Sequence, residues 1–251
     1  MRRLYRLFTS LTSHLPVARW CLAIAVISFA TVVSVYKYID MADMAVFSSL
    51  ETMYLILTDT MNTVFIYLPL YLFIVCGIMF DNGFGETGIL RFRSRGEWLF
   101  VKASAYVVNT VVFFGVMLLI NYVVSSQVFN FSQLWSGDFI GFRVMSGQPA
   151  SDFSNPPVPT IASACMSVFM LYILCGFVNL LFSLISNRES VGLFVSLAVG
   201  ILFGIADMVI IPDSLMARVN CCIGLLLFSV IVCAVCLAAI KKKNFVGKKM
   251  Y

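Results

Sequence analysis

Residues 107–124 read VVNTVVFFGVMLLINYVV, eighteen residues without a charged side chain. Wound as a helix rising about 1.5 Å per residue, such a run is roughly 27 Å long, close to the hydrocarbon thickness of a bilayer. A membrane β-barrel would need short alternating segments, and this run does not alternate. The reading is a membrane-spanning helix. Composition agrees: 61% apolar residues, 12% charged residues and a mean hydropathy of +0.97 lie far outside the range of soluble domains.

Five more stretches meet the length criterion, which predicts six spans at about 20–39, 54–80, 98–124, 160–186, 190–211 and 220–240. In 251 residues that leaves no room for a soluble domain. The expected fold is all-α: a cytoplasmic interfacial helix over 1–19, a six-helix transmembrane domain over 20–240 and a basic cytoplasmic tail over 241–251. The first apolar run has no small-residue cleavage site and continues into SVYKYID, so it is expected to remain as a span. Before it, RRLYRLFTSLTSHL (2–15) sets Leu4, Leu7, Phe8, Leu11 and Leu15 on one helical face until Pro16 breaks the pattern. Such a helix lies in the membrane surface as an anchor, or additionally offers a face to a cytoplasmic partner.

Charge sets the orientation. With both termini inside, only Lys37, Arg143 and Arg218 of the 17 basic residues fall outside, leaving 14 within, whereas eight of the twelve acids fall outside. Both termini are therefore expected in the cytoplasm of a multi-pass plasma-membrane protein, the bacterial cytoplasmic membrane by the resemblance given below. The net charge of +5 is explained by headgroups and topology and calls for membrane lipids as partners, not nucleic acid. The tail KKKNFVGKK (241–249) reads as a topological anchor.

All eight cysteines lie inside apolar runs, where the thiol behaves as a small hydrophobe. Cys233 and Cys236 form a C-x-x-C, but without a nearby His or acid it predicts no metal site, and the single histidine, His14, cannot build one alone. The outer loop, 125–159, is polar, aromatic and proline-containing, with a short interfacial segment expected around 139–145 and an N-x-S match at Asn130.

Polar residues within spans are costly and each is weighed for function. In YLILTDTMNTVF (54–65), Thr58, Asp59 and Asn62 cluster near the outer end of the second span. They mark either a hydrated translocation path or the end of a separate external helix over 41–58. Lys37 and Asp207 sit at outer span ends near water, and Asn109, Asn121 and Asn179 read as interhelical hydrogen-bond glue. On the fifth span Gly192, Ser196, Gly200 and Gly204 make an i+4 stripe of small residues, fit for close helix packing within the subunit or against a second copy.

The remaining feature is an insert between the second and third spans, DNGFGETGILRFRSRGEWLFVK (81–102), carrying Asp81, Glu86, Arg91, Arg93, Arg95 and Glu97. Within it, GETGILRFRSRGEWLFVK resembles the loop between the second and third helices of type-2 permeases of ABC exporters. The likeness rests on Glu86, Gly88, the pair Ile89-Leu90, the basic run Arg91-Arg93-Arg95, and Lys102 just inside the third span. In that family an acid-x-Gly step opens a short coupling helix that docks on a separate ATPase, and an acid near a helix N-terminus favours its positive end. The layout is also similar: an amphipathic first helix, six spans, and a polar break at ADMVIIPDSLMARVN (206–220). The resemblance implies a permease dimer, homo- or heteromeric, with helices one and five near its seam. It also implies a cytoplasmic ATP-binding-cassette partner that holds the ATP and Mg, leaving no cofactor on this chain. It suggests export of an amphipathic peptide or lipophilic compound.

Motifs for P-loop, zinc-protease and serine-hydrolase chemistry are missing, so no enzyme activity is expected on this chain. Paired glycine-broken helices of the inverted-repeat carriers are not evident either. The alternatives kept open are a stand-alone membrane protein, whether a secondary carrier or an immunity or sensor protein, and for the insert a purely topological anchor or the docking site of another partner.

Overall fold

The structure is a computed structural model describing residues 17–41, 47–78, 94–146, 153–210 and 215–242. The surface helix expected over 1–16, most of the charged insert and the tail beyond 242 lie outside the described residues. Among those described there is no strand. Eight helices follow one another: α1 (Val17–Met41), α2 (Ser49–Thr58), α3 (Met61–Val75), α4 (Arg95–Val128), α5 (Gly137–Met145), α6 (Pro157–Ser186), α7 (Glu189–Ile210) and α8 (Leu215–Lys242).

Five of them, α1, α4, α6, α7 and α8, are long and apolar enough to cross a membrane. The sixth expected span is the bent one: α2 and α3 pass the same test only together, with 59° between them at the break. The interior is largely apolar and aromatic, Tyr54, Leu57, Leu68, Phe113 and Tyr172 among it, yet large apolar side chains also cover the outside, Phe194 being 74% exposed and Leu202 67%. Thr31, Thr110, Asn121 and Ser183 are fully buried, as expected where lipid is the solvent and hydrogen bonds must be closed internally. The chain has the character of a multi-pass membrane protein.

The centre of the bundle is α6, with 67% of its most apolar stretch shielded against 22–28% for the other four long helices. It packs mainly on α7 and α8, and also touches α2, α3 and α4. Asn187, in the left-handed region at φ 57, ends α6 and turns the chain at once into α7; Asn is among the few residues with a side chain that tolerate this conformation. Serines cap three other starts. Ser48, Ser94 and Ser136 accept from the backbone N–H of Glu51, Glu97 and Phe139 respectively.

Hydrogen bonds fix which helix ends share a side. Arg19 of α1 meets the end of α3, and Lys102 of α4 donates to Ile78 O at 2.6 Å just beyond that end. At the opposite side Ser49 N donates to Asn130 O at 2.9 Å, and Trp135 Nε1 to Asn155 O at 2.7 Å. We call these the basic end and the loop end.

Candidate functional site

The second span breaks where its sequence is least apolar. At Asp59 the backbone turns extended (φ −72, ψ 111), ending α2. The Asp59 carboxylate then starts the next helix, accepting from Met61 N at 3.0 Å and from Asn62 Nδ2 at 3.2 Å. Asn62 also donates to Ser34 Oγ of α1 at 2.9 Å. Of the three residues read from sequence as a path, Asp59 and Asn62 are thus brought together, and Thr58 stands beside them with its hydroxyl donating to Tyr54 O at 2.9 Å. A helix separate from the one starting at Met61 does end at Thr58, as one of the two sequence readings had it; it begins at Ser49, and residues 42–46 lie outside the described residues.

The first turns of α3 are π-helical, Met61–Tyr67, with Leu68 N–H donating to Thr63 O. Pro69 follows at once. Lacking an N–H and crowding the preceding turn, proline disfavours the ordinary ladder there, and such bulges collect at functional sites. One turn deeper, Thr31 Oγ1 lies 2.6 Å from Asn121 Oδ1, and Tyr67 OH lies 3.3 Å from Thr31 and 3.4 Å from Asn121. Asn121 Nδ2 and Ser125 Oγ, both fully buried on α4, have no hydrogen-bond partner among the described residues. A polar seam therefore descends from Asp59 between α1, α3 and α4.

On the other side of the break a small cleft of about 30 Å³ opens toward α6, α7 and α8, walled by Thr58, Thr60, Thr63 and Ser167 and by apolar residues including Val64 and Leu225. The small-residue stripe of α7 approaches it. A methyl group added at Gly204 would overlap Val64, at Gly200 Leu68, and at Gly192 Ser183 and Asn179; Ser196 is fully buried. The stripe is used inside the chain, against α3 and α6.

Above the break, Glu51 makes a contact that composition alone did not single out. This fully buried carboxylate accepts from Ser48 N at 2.6 Å, from Ser136 Oγ at 3.1 Å and from Ser136 N. It pins α5, the interfacial segment expected near 139–145, onto α2. Around it, Trp135 and Phe139 stack at 4.8 Å, and Arg143 lies over the rings of Tyr54 and Phe153 at 5.7 and 5.9 Å.

At the basic end, Glu86, Gly88, Arg91 and Arg93 lie outside the described residues, and Arg95 opens α4. Both shoulders of the insert are held. Arg19 donates to Phe73 O at 3.2 Å and to Cys76 O, and its guanidinium lies over the Phe73 ring at 5.2 Å. Lys102, 6% exposed, takes the carbonyl of Ile78. Cations placed on the last carbonyls of a helix complement its negative end. Gly77, at φ 96, supplies the left-handed residue that lets the chain leave α3 there.

All eight cysteines are free thiols, Cys236 being buried. Among the described residues no group of three or more His, Cys, Asp or Glu could hold a metal ion. No family model, curated protein or solved structure matches this chain.

Proposed function

We propose that the chain is the membrane-spanning permease subunit of an ATP-driven exporter in the bacterial cytoplasmic membrane. On this reading the basic end faces the cytoplasm, a separate ATP-binding-cassette ATPase binds ATP and Mg there, and the insert around Glu86, Gly88, Arg91, Arg93 and Arg95 receives its motion. A second permease copy or paralogue completes the path for an amphipathic peptide or lipophilic compound.

The observation that supports it most is the way the insert is mounted. Arg19 and Lys102 tie its leading shoulder to α1 and α4, and Ser94 caps α4 at the trailing one. A push on these shoulders would reach three spans, and α3 runs from there back to the Asp59 break at its start. A mere topological anchor needs charge at the surface, not a buried Lys102 and a half-buried Arg19 set on particular carbonyls. The broken span itself favours a second reading, an ion-driven carrier working alone, since unwound helices at membrane depth are tolerated where they line a cavity.

The test is purification in mild detergent from native cells, with mass spectrometry of what accompanies the chain. A stoichiometric P-loop ATPase, lost in Glu86→Arg while membrane insertion persists, is the expected result. Recovery of the chain alone, or retention of the ATPase by Glu86→Arg, removes the coupling role and brings the carrier forward.

A further inference from the structure

The cleft at the break has a chemical polarity that neither reading of the function uses. Three of its wall residues have spent their only O–H on their own helices. Thr58 donates to Tyr54 O at 2.9 Å, Thr63 to Asp59 O at 3.0 Å and Ser167 to Ala164 O at 2.8 Å. A hydroxyl has one proton and two lone pairs, so all three have only lone pairs left to offer the cleft. The fourth, Thr60, makes no bond among the described residues and can turn a lone pair the same way. The remaining wall, Val64, Phe203 and Leu225 among it, is mostly apolar.

Two further sources of negative potential adjoin the cleft, the α2 end at its wall and Asp59 outside it. The C-terminal end of α2 closes at Thr58, where a helix carries partial negative charge on its last carbonyls. Across the break Asp59 is bonded to two neutral donors, Met61 N and Asn62 Nδ2, and makes no ion pair among the described residues. Arg218 lies one turn of α8 from the wall residue Cys221 and is not itself part of the wall. Arg143, over the Tyr54 ring one turn before Thr58, is a cation on the loop side of the break, and Asp59 with the α2 terminus must outweigh it. At about 30 Å³ the cleft accommodates one body the size of a water molecule.

We infer that the break of the second span binds a small monovalent cation, coordinated by the lone pairs of Thr58, Thr63 and Ser167 and attracted by Asp59. The chemistry suits a desolvated sodium ion and also the terminal ammonium of a basic substrate. It depends on neither the ATPase nor the carrier reading.

The experiment uses the full chain in lipid nanodiscs, with radioactive sodium as the probe in choline buffer of constant ionic strength. Saturable sodium binding is expected, weakened at least tenfold in Ser167→Ala and in Asp59→Asn and unchanged in Ser183→Ala, a buried serine outside both the cleft and the polar seam. Size-exclusion profiles and melting in choline show that each variant is folded. If sodium does not bind, methylammonium is tested by its stabilisation of the folded chain. A rise in melting temperature that disappears in Ser167→Ala assigns the site to an ammonium group. Absence of both effects, or binding indifferent to Ser167→Ala and Asp59→Asn, overturns the proposal and leaves water as the occupant.

Discussion

Glu51 shows how much one side chain carries. Its carboxylate closes the Ser48 capping box and accepts two bonds from Ser136, 85 residues away. Truncation strands one buried donor, Ser48 N, and two half-buried ones on Ser136, and hydrogen bonds to a charged acceptor are worth about 1.5–3 kcal/mol each, partly recovered by water and rearrangement. Glu51→Ala is therefore expected to cost on the order of 3 kcal/mol, read as a lower midpoint in denaturant, and to release α5, read as new protease cleavage near Met145. Unaltered unfolding and proteolysis would show that the aromatic stack holds α5 without it. Sequence placed Glu51 only among the outer acids, because nothing local reveals a partner 85 positions on. Arg19 and Lys102 were legible only as charges at the ends of spans. That they grip carbonyls at Cys76 and Ile78 is a product of packing.

Among the elements, the long spans were legible because bilayer thickness imposes a length that six apolar runs satisfy. The second span was half legible: Asp59 marked the place, but whether the chain would continue, kink or restart there depended on the carboxylate finding Met61 N and on Pro69 shifting the ladder. The stripe of α7 was legible as a close-packing surface, yet its partner was not, since small residues admit any helix. The surroundings of Gly200 on that stripe and of Gly224 on α8 give a contrast to test. Gly200→Leu forces a side chain into Leu68 and Cys175, whereas nothing lies within 4 Å of a methyl at Gly224. Overpacking costs about 1–3 kcal/mol or more; Gly200→Leu is expected to lose that in unfolding experiments while Gly224→Leu stays near neutral. Equal stability of the two variants would mean that α7 does not sit against α3 as described.

For the whole molecule the coupling role turns on sidedness. Met145, 91% exposed, stands near the loop end, and Arg188, between α6 and α7, at the basic end. Met145→Cys is expected to react with a membrane-impermeant maleimide in intact cells, and Arg188→Cys only after permeabilisation, each measured above the background of the native thiols. The reverse pattern would invert the orientation that charge implies and put the insert out of reach of any cytoplasmic ATPase.

The position of α6 at the centre of the bundle also bears on how the protein is made. Ser163, Ser167, Asn179 and Ser183 are all buried, and the principal neighbours of α6, α7 and α8, lie later in the chain. A ribosome delivers α6 to the bilayer before either of them exists, so for the time needed to synthesise some fifty further residues these polar groups have only lipid, the insertion machinery or earlier helices to lean on, Tyr106 of α4 for Asn179. A chain stopped after Asn187 would leave open the faces that α7 and α8 cover, a natural checkpoint for quality control.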